Sequence, residues 1–234
     1  MRHTALTTIA FLALVWMAAA SSDDDDDMDG TQLITCGSVF RLRNPLTDRR
    51  LHSHSVTYGS GSGQQSVTGF PEHHDVNSLW IVRTYGGEDL HHCMQGTPIT
   101  DGSEITLTHL STGRNLHSHS AHSSPLSGLQ EVSCFGENGQ GDEGDVWILH
   151  ILKEKNADKA SEPKDKSGKR LWARGDTFLL EHKQTKNFLM LQDKHIYRDP
   201  IPGQAEICAT KRSKSIRKNI MWTDAEGFFF PKYE

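Results

Sequence analysis

What this chain lacks narrows its possibilities first. Only 35% of its 234 residues are hydrophobic, which suits a shell-like β fold with polar loops better than a large helical core. Beyond the N-terminus there is no long apolar run. The one unbroken stretch, residues 9–17, is too short to span a bilayer. No segment sustains a helical period. No Asn-x-Ser/Thr acceptor occurs, so N-glycosylation is not expected. The glycine-rich stretch at residues 58–63 lacks the Gly-Lys-Ser/Thr ending and following helix of a phosphate loop. There is no Gly-x-Ser-x-Gly elbow, and nothing singles out a nucleophile–base pair. A strong charge of one sign is also missing. The net charge is -5, and six of the acids fall in the run at residues 23–29. The rest of the chain is balanced and exerts no long-range pull on nucleic acid or anionic membrane.

What is present is repetition. LHSHS occurs at residues 51–55 and again at residues 116–120. A glycine stands fourteen positions before each leucine, at Gly37 and Gly102, and the same offset places Gly175 before Leu189. Apolar residues follow these glycines at plus three and plus five: Phe40 and Leu42, Ile105 and Leu107, Phe178 and Leu180. A Gly-x-x-x-Val/Ile step comes next, ending at Val67, Val132 and Ile207. Each unit closes on an apolar–Trp pair, at Trp80, Trp147 and Trp222. The chain therefore carries three copies of one unit. Short alternating stretches bounded by turn residues predict about four strands per unit and an all-β fold. One unit alone cannot bury its apolar face. Three together predict a pseudo-threefold barrel, a β-trefoil, with Leu51, Trp80, Leu116, Trp147, Leu189 and Trp222 in its core.

The expected organisation is a secretory signal peptide at residues 1–20, an acidic linker at 21–30, and repeats at 31–85, 93–153 and 169–226. A charged insertion at 154–168 precedes the third repeat. The leader reads from a polar start, a short apolar run and small residues for cleavage. It implies an oxidising compartment, where disulfides are permitted. Four cysteines allow three full pairings. Cys36 and Cys93, near the starts of consecutive units, are expected to pair. Cys134 and Cys208, on equivalent strands of units two and three, are expected to be held apart by the symmetry. Residues 211–218 contain five basic side chains and read as a solvated loop.

RLHSH, YGSGSGQQSVTG, NSLW, GRNLHSH and SPLSGLQEVSCFG, as they stand here, resemble the stromal cell-derived factor 2 family, whose members carry three MIR motifs. The resemblance covers nearly all of the chain after the leader. It is close in units one and two and mainly a matter of frame in unit three. It implies a β-trefoil and a non-catalytic protein of the endoplasmic reticulum lumen. It further implies association with a lumenal Hsp40 co-chaperone and, through it, Hsp70, in folding and quality control of secretory proteins. The terminal Pro-Lys-Tyr-Glu is not a KDEL-type signal, so secretion is the alternative location, and residence in the lumen is expected to depend on a partner. No cofactor, nucleic acid or membrane insertion is expected.

The candidate contact surface, for a protein partner, an unfolded client or a glycan, is His52, His54, Tyr58, His117, His119 and His122. On a strand, residues two apart face the same way, so His52/His54 and His117/His119 form pairs. Such imidazole pairs can hold zinc, but no carboxylate stands at a fixed spacing to complete a site, and the expectation is hydrogen bonding to loop groups instead. The glycan alternative rests on Tyr58 and Tyr197 in equivalent loops, with His122 in their place in unit two. Unit three, LMLQD, has no His-x-His pair.

Overall fold

The computed structural model describes residues 32–86, 93–153 and 162–232. The leader, the acidic linker and residues 154–161 of the charged insertion lie outside the described residues.

Among the described residues twelve strands follow one another, four per unit. They are β1 (Val39–Arg43), β2 (Arg50–Thr57), β3 (Gln65–Phe70) and β4 (Trp80–Thr84), then β5 (Glu104–His109), β6 (Asn115–Ser123), β7 (Gln130–Phe135) and β8 (Trp147–Ile151), then β9 (Thr177–His182), β10 (Phe188–Ile196), β11 (Ala205–Thr210) and β12 (Trp222–Phe228). Two single-turn 3-10 segments, Val76–Ser78 and Glu143–Asp145, precede β4 and β8.

The pairings define the trefoil. β1, β4, β5, β8, β9 and β12 pair in a ring that closes on itself. This six-stranded barrel has no free edge. The remaining strands form three hairpins, β2–β3, β6–β7 and β10–β11, whose second strands pair with one another as a triangle. The register repeats with the sequence: Phe40 faces Trp80, Ile105 faces Trp147, and Phe178 faces Trp222.

The predicted core residues all meet in one cluster. Phe40, Leu51, Val67 and Trp80 and their counterparts in units two and three are fully buried. Each tryptophan also donates its indole N–H to the carbonyl of the core leucine of its own unit. The distances are 2.9 Å for Trp80 to Leu51, 3.0 Å for Trp147 to Leu116 and 3.1 Å for Trp222 to Leu189. These bonds satisfy a buried donor that would otherwise cost stability.

A second threefold device joins successive units. The residue two beyond the second apolar position of β1, β5 and β9 is Asn44, His109 and His182. Each reaches across to a backbone carbonyl three positions before a core tryptophan. His109 Nε2 is 2.8 Å from Asn77 O, His182 Nε2 is 3.0 Å from Gly144 O, and Asn44 Nδ2 donates to Asn219 O at 3.1 Å. Unit two thus holds unit one, unit three holds unit two, and unit one holds unit three.

The Cys36–Cys93 disulfide is formed, with Cα atoms 6.0 Å apart. Cys134 and Cys208 are free and buried. Their strands, β7 and β11, are equivalent as expected, but their positions on those strands are not. Counted from Val132 and Ile207 they stand at plus two and plus one, so they face opposite sides of their strands. Cys134 enters the central core and Cys208 a smaller cluster outside it.

Candidate functional site

The LHSHS strands carry the candidate surface, and the structure divides it into an inner and an outer layer. His52 and His117, one residue after the core leucines, are only 3% exposed. Each is covered by the 3-10 segment before the next tryptophan and lies against a phenylalanine ring, Phe70 at 4.5 Å and Phe135 at 5.0 Å. Both were expected on the surface and belong instead to the wall of the fold. Tyr58 is likewise interior, 6% exposed. Its hydroxyl sits between Val67 O at 3.0 Å and Val132 O at 2.9 Å and receives Val67 N–H at 3.2 Å. Strand alternation assigns both imidazoles of a pair to one face. It does not reveal that the chain returns to cover the first of them.

The outer layer is His54, His119 and His122, all half-buried. His54 and His119 lie 5.1 and 5.2 Å from the inner rings, and His122 lies 4.7 Å from His119. Nδ1 of His54 accepts Val56 N–H at 3.3 Å, and Nδ1 of His119 accepts Ala121 N–H at 3.2 Å. The neutral rings therefore carry their proton on Nε2. Burial, with the neighbouring His54 and His109, pushes His52 down to about 3. Burial lowers His54, His109 and His119 below the usual imidazole range as well. His182 falls to about 4, mainly through burial. These five imidazoles are neutral at pH 7.

Unit two also contains the one grouping with metal-ligand character among the described residues: His117, Asp142 and Asp145, whose ligand atoms lie within 4.8 Å of one another. Its donors are already engaged by the protein. His117 Nδ1 is 2.9 Å from Asp145 Oδ1. Asp145 Oδ2 accepts from Asn115 Nδ2 and from Asp142 N, each at 3.0 Å, and Asp142 Oδ1 accepts Gly144 N–H at 2.7 Å. This is a capping box that holds the turn. Gly144 lies flat on the imidazole, and a Cβ there would stand 2.4 Å from His117 Cε1. What remains open is a polar groove of about 450 Å³ lined by Gln64, His117, His119, Asp142, Glu143 and Gln184, among others.

In unit one the same position is looser. His52 Nδ1 lies 3.4 Å from Ser78 Oγ and 3.5 Å from Asp75 Oδ1. In unit three the polar wall is gone. Met190 takes the place of the inner histidine and Ile220 that of Asp145, and they pack with Leu179, Phe188 and Cys208 in a separate apolar cluster.

The hairpin closures set a further correction. Tyr58 N donates to Gln64 O, Ser124 N to Leu129 O and Tyr197 N to Gln204 O. Ser124, not His122, is therefore the unit-two counterpart of Tyr58 and Tyr197. The offset from the core leucine changes from seven to eight because each hairpin is irregular, after its fourth pair in units one and two and after its fifth in unit three. The latch residues Asn44, His109 and His182 were missed from sequence, although they share one offset from the repeat leucines. So was Trp172, three residues before Gly175, where units one and two have Ile34 and Ile99. It is fully buried against Phe40 and Phe178.

The MIR domain model matches residues 49–216. The stromal cell-derived factor 2-like protein of Dictyostelium discoideum is 44% identical over 84% of this chain and 84% of its own. Human stromal cell-derived factor 2 is 42% identical over 86% of this chain and 84% of its own. The crystal structure of the SDF2-like protein from Arabidopsis thaliana superposes with a TM-score of 0.73 at 40% identity, covering 86% of this chain and 99% of that one.

Proposed function

The chain belongs to the stromal cell-derived factor 2 family of MIR-domain proteins, and on that premise we propose that it is an adaptor in protein folding and quality control in the endoplasmic reticulum lumen. The family is non-catalytic, and this member is not an enzyme. Its partner would be a lumenal Hsp40 co-chaperone and, through it, Hsp70. The observation that carries the reading is identity above 40% along some 200 residues, spanning all three units. The site chemistry agrees with it. The inner imidazoles and Tyr58 are spent on internal contacts, so recognition falls to the half-buried His54, His119 and His122 and the loops around them. Such a surface works by shape and hydrogen bonding, with the barrel as a rigid support.

Residence in the lumen would come from a partner that carries its own address, by mass action on the bound fraction. Native affinity purification of the tagged full chain tests the adaptor reading. An Hsp40 recovered in stoichiometric amount is expected, and depleting it should increase secretion of the chain. A preparation that carries no Hsp40 contradicts the reading.

A glycan-binding role is the second reading, favoured by the amide- and carboxylate-lined groove beside His117 and His119. The tyrosine that first suggested it is consumed inside the fold. Saturable binding on a glycan array that Gln184→Ala removes would favour this reading.

A further inference from the structure

The pseudo-threefold symmetry is broken at the hairpin end of the molecule, and the break opens a groove. The residue just before Val67, Val132 and Ile207 is Ser66, Glu131 and Glu206. Two of these are buried carboxylates, and each closes the hairpin loop of the preceding unit. Glu131 accepts from the backbone and hydroxyl of Ser62 in the unit-one loop. It passes so close to Gly61, at φ +68°, that any Cβ there would collide with it. Glu206 accepts from Ser124 Oγ at 2.6 Å, Leu126 N at 2.8 Å and Ser127 N at 3.0 Å in the unit-two loop.

By the same rotation Ser66 should close the unit-three loop. It has no carboxylate, and its hydroxyl is turned to Val56 O at 2.8 Å. The unit-three loop in turn offers Asp199 and Pro200, an acid and a residue with no N–H. The third seam thus lacks the carboxylate latch of the other two and is joined at its base, where Thr68 Oγ1 donates to Gln204 Oε1 and Arg49 donates to Gly203 O at 2.9 Å. A groove of about 720 Å³ lies there, with Val56, Tyr58, Leu126, Ile196, Tyr197 and Ile201 among the residues lining it. Leu126 and Ile196 are 43% and 39% exposed. Lys194 and Arg198 stand on the same wall, and neither has an ion-pair partner among the described residues. Asp199 is the one acid in the lining. His195 is paired at 3.1 Å with the buried Glu206.

We propose that this third seam is a binding site for an extended protein segment that alternates aliphatic and acidic side chains. Its aliphatic residues would cover Leu126 and Ile196. A carboxylate would meet Lys194 and Arg198, at the seam where the fold's own carboxylate is missing. The proposal deepens the adaptor reading and rests on it, because it gives the adaptor a place for client chain separate from the histidine-bearing loops.

The test uses the full chain and two fluorescein-labelled dodecapeptides with blocked ends, one alternating Leu with Glu and one alternating Leu with Lys. Saturable binding of the Leu/Glu peptide is expected, at least tenfold tighter than that of the Leu/Lys peptide. The double variant Leu126→Ser/Ile196→Ser should weaken it tenfold or more. Lys194→Glu/Arg198→Glu should reverse the preference between the peptides. All four positions are exposed, so the melting temperature should hold and confirm folding. Equal binding by both variants, a wild-type preference for Leu/Lys, or no binding of either peptide overturns the proposal. So does a concentration-dependent dimer that Leu126→Ser/Ile196→Ser makes monomeric, since the occupant is then a second copy. Hsp40 recovery with failed peptide binding sinks the groove alone. Absence of Hsp40 from the wild-type preparation sinks the adaptor alone.

Discussion

Units one and two build the space beneath their hairpins from imidazole, carboxylate and hydroxyl groups, and unit three builds the same space from Met190, Ile220, Phe188 and Cys208. All three units nevertheless present the same tryptophan, leucine and strand register to the barrel axis. Threefold packing therefore constrains only the inner side of each strand. The outer side is free to be polar or apolar provided it is satisfied. Polar walls stand where the adjoining loops are rich in histidine, and an apolar wall serves where they are not.

If the inner sides are equivalent, truncating any one of the core tryptophans should cost the same. Trp80→Ala, Trp147→Ala and Trp222→Ala are each expected to lose about 3–5 kcal/mol in denaturant unfolding. That is a large part of the stability of a typical domain. One tryptophan costing less than half as much as the others would break the equivalence.

The buried imidazoles of the latches and walls sharpen the comparison through pH. His182 and His52 have folded values near 4 and 3, below the usual 6.5 of an unfolded imidazole. The unfolded chain therefore binds more protons on acidification. Their contribution is complete above about pH 6.5 and is lost as the pH falls toward 4 and below. For His182 alone this amounts to roughly 3 kcal/mol. Unit one performs the same latch with Asn44, which does not titrate. His182→Asn should therefore flatten the loss of stability between pH 6.5 and 4, measured as the shift in melting temperature. An unchanged slope would remove His182 from the account.

A smaller effect is expected from exchanging the walls themselves. His117→Met alone strands Asp145 Oδ1 and should cost about 1–3 kcal/mol. Moving the unit-three solution into unit two, as Asn115→Phe/His117→Met/Asp145→Ile, replaces the three bonded side chains together. Its cost should fall below the sum of the three single changes. Additive costs would show that the polar wall is not one cooperative network.

Much of the scaffold was legible in the sequence because it rests on repeated identities at fixed offsets. The glycine, leucine, valine and tryptophan positions needed no knowledge of tertiary structure. The split between inner and outer histidines was not legible. It depends on where the turn at residues 143–145 comes to rest, and only Gly144 can lie against His117. The pairing of Tyr58 with Ser124 was hidden for a related reason, since the strand irregularities change the offset by one residue. The asymmetry of the third seam was present in plain letters, as Ser66 against Glu131 and Glu206. It acquires meaning only once the hairpin triangle shows which loop each residue faces.

The most direct test of the central claim compares partner retention by the two kinds of unit. His54→Ala/His119→Ala/His122→Ala changes the outer layer of units one and two, and Lys211→Ala/Arg212→Ala/Lys214→Ala changes an exposed loop of unit three. Hsp40 recovered with each by native purification is the quantity to measure, with melting temperature as the control for folding. The account predicts at least a tenfold loss of Hsp40 from the histidine variant, full retention by the loop variant, and unchanged melting for both. Full retention by the histidine variant would contradict it.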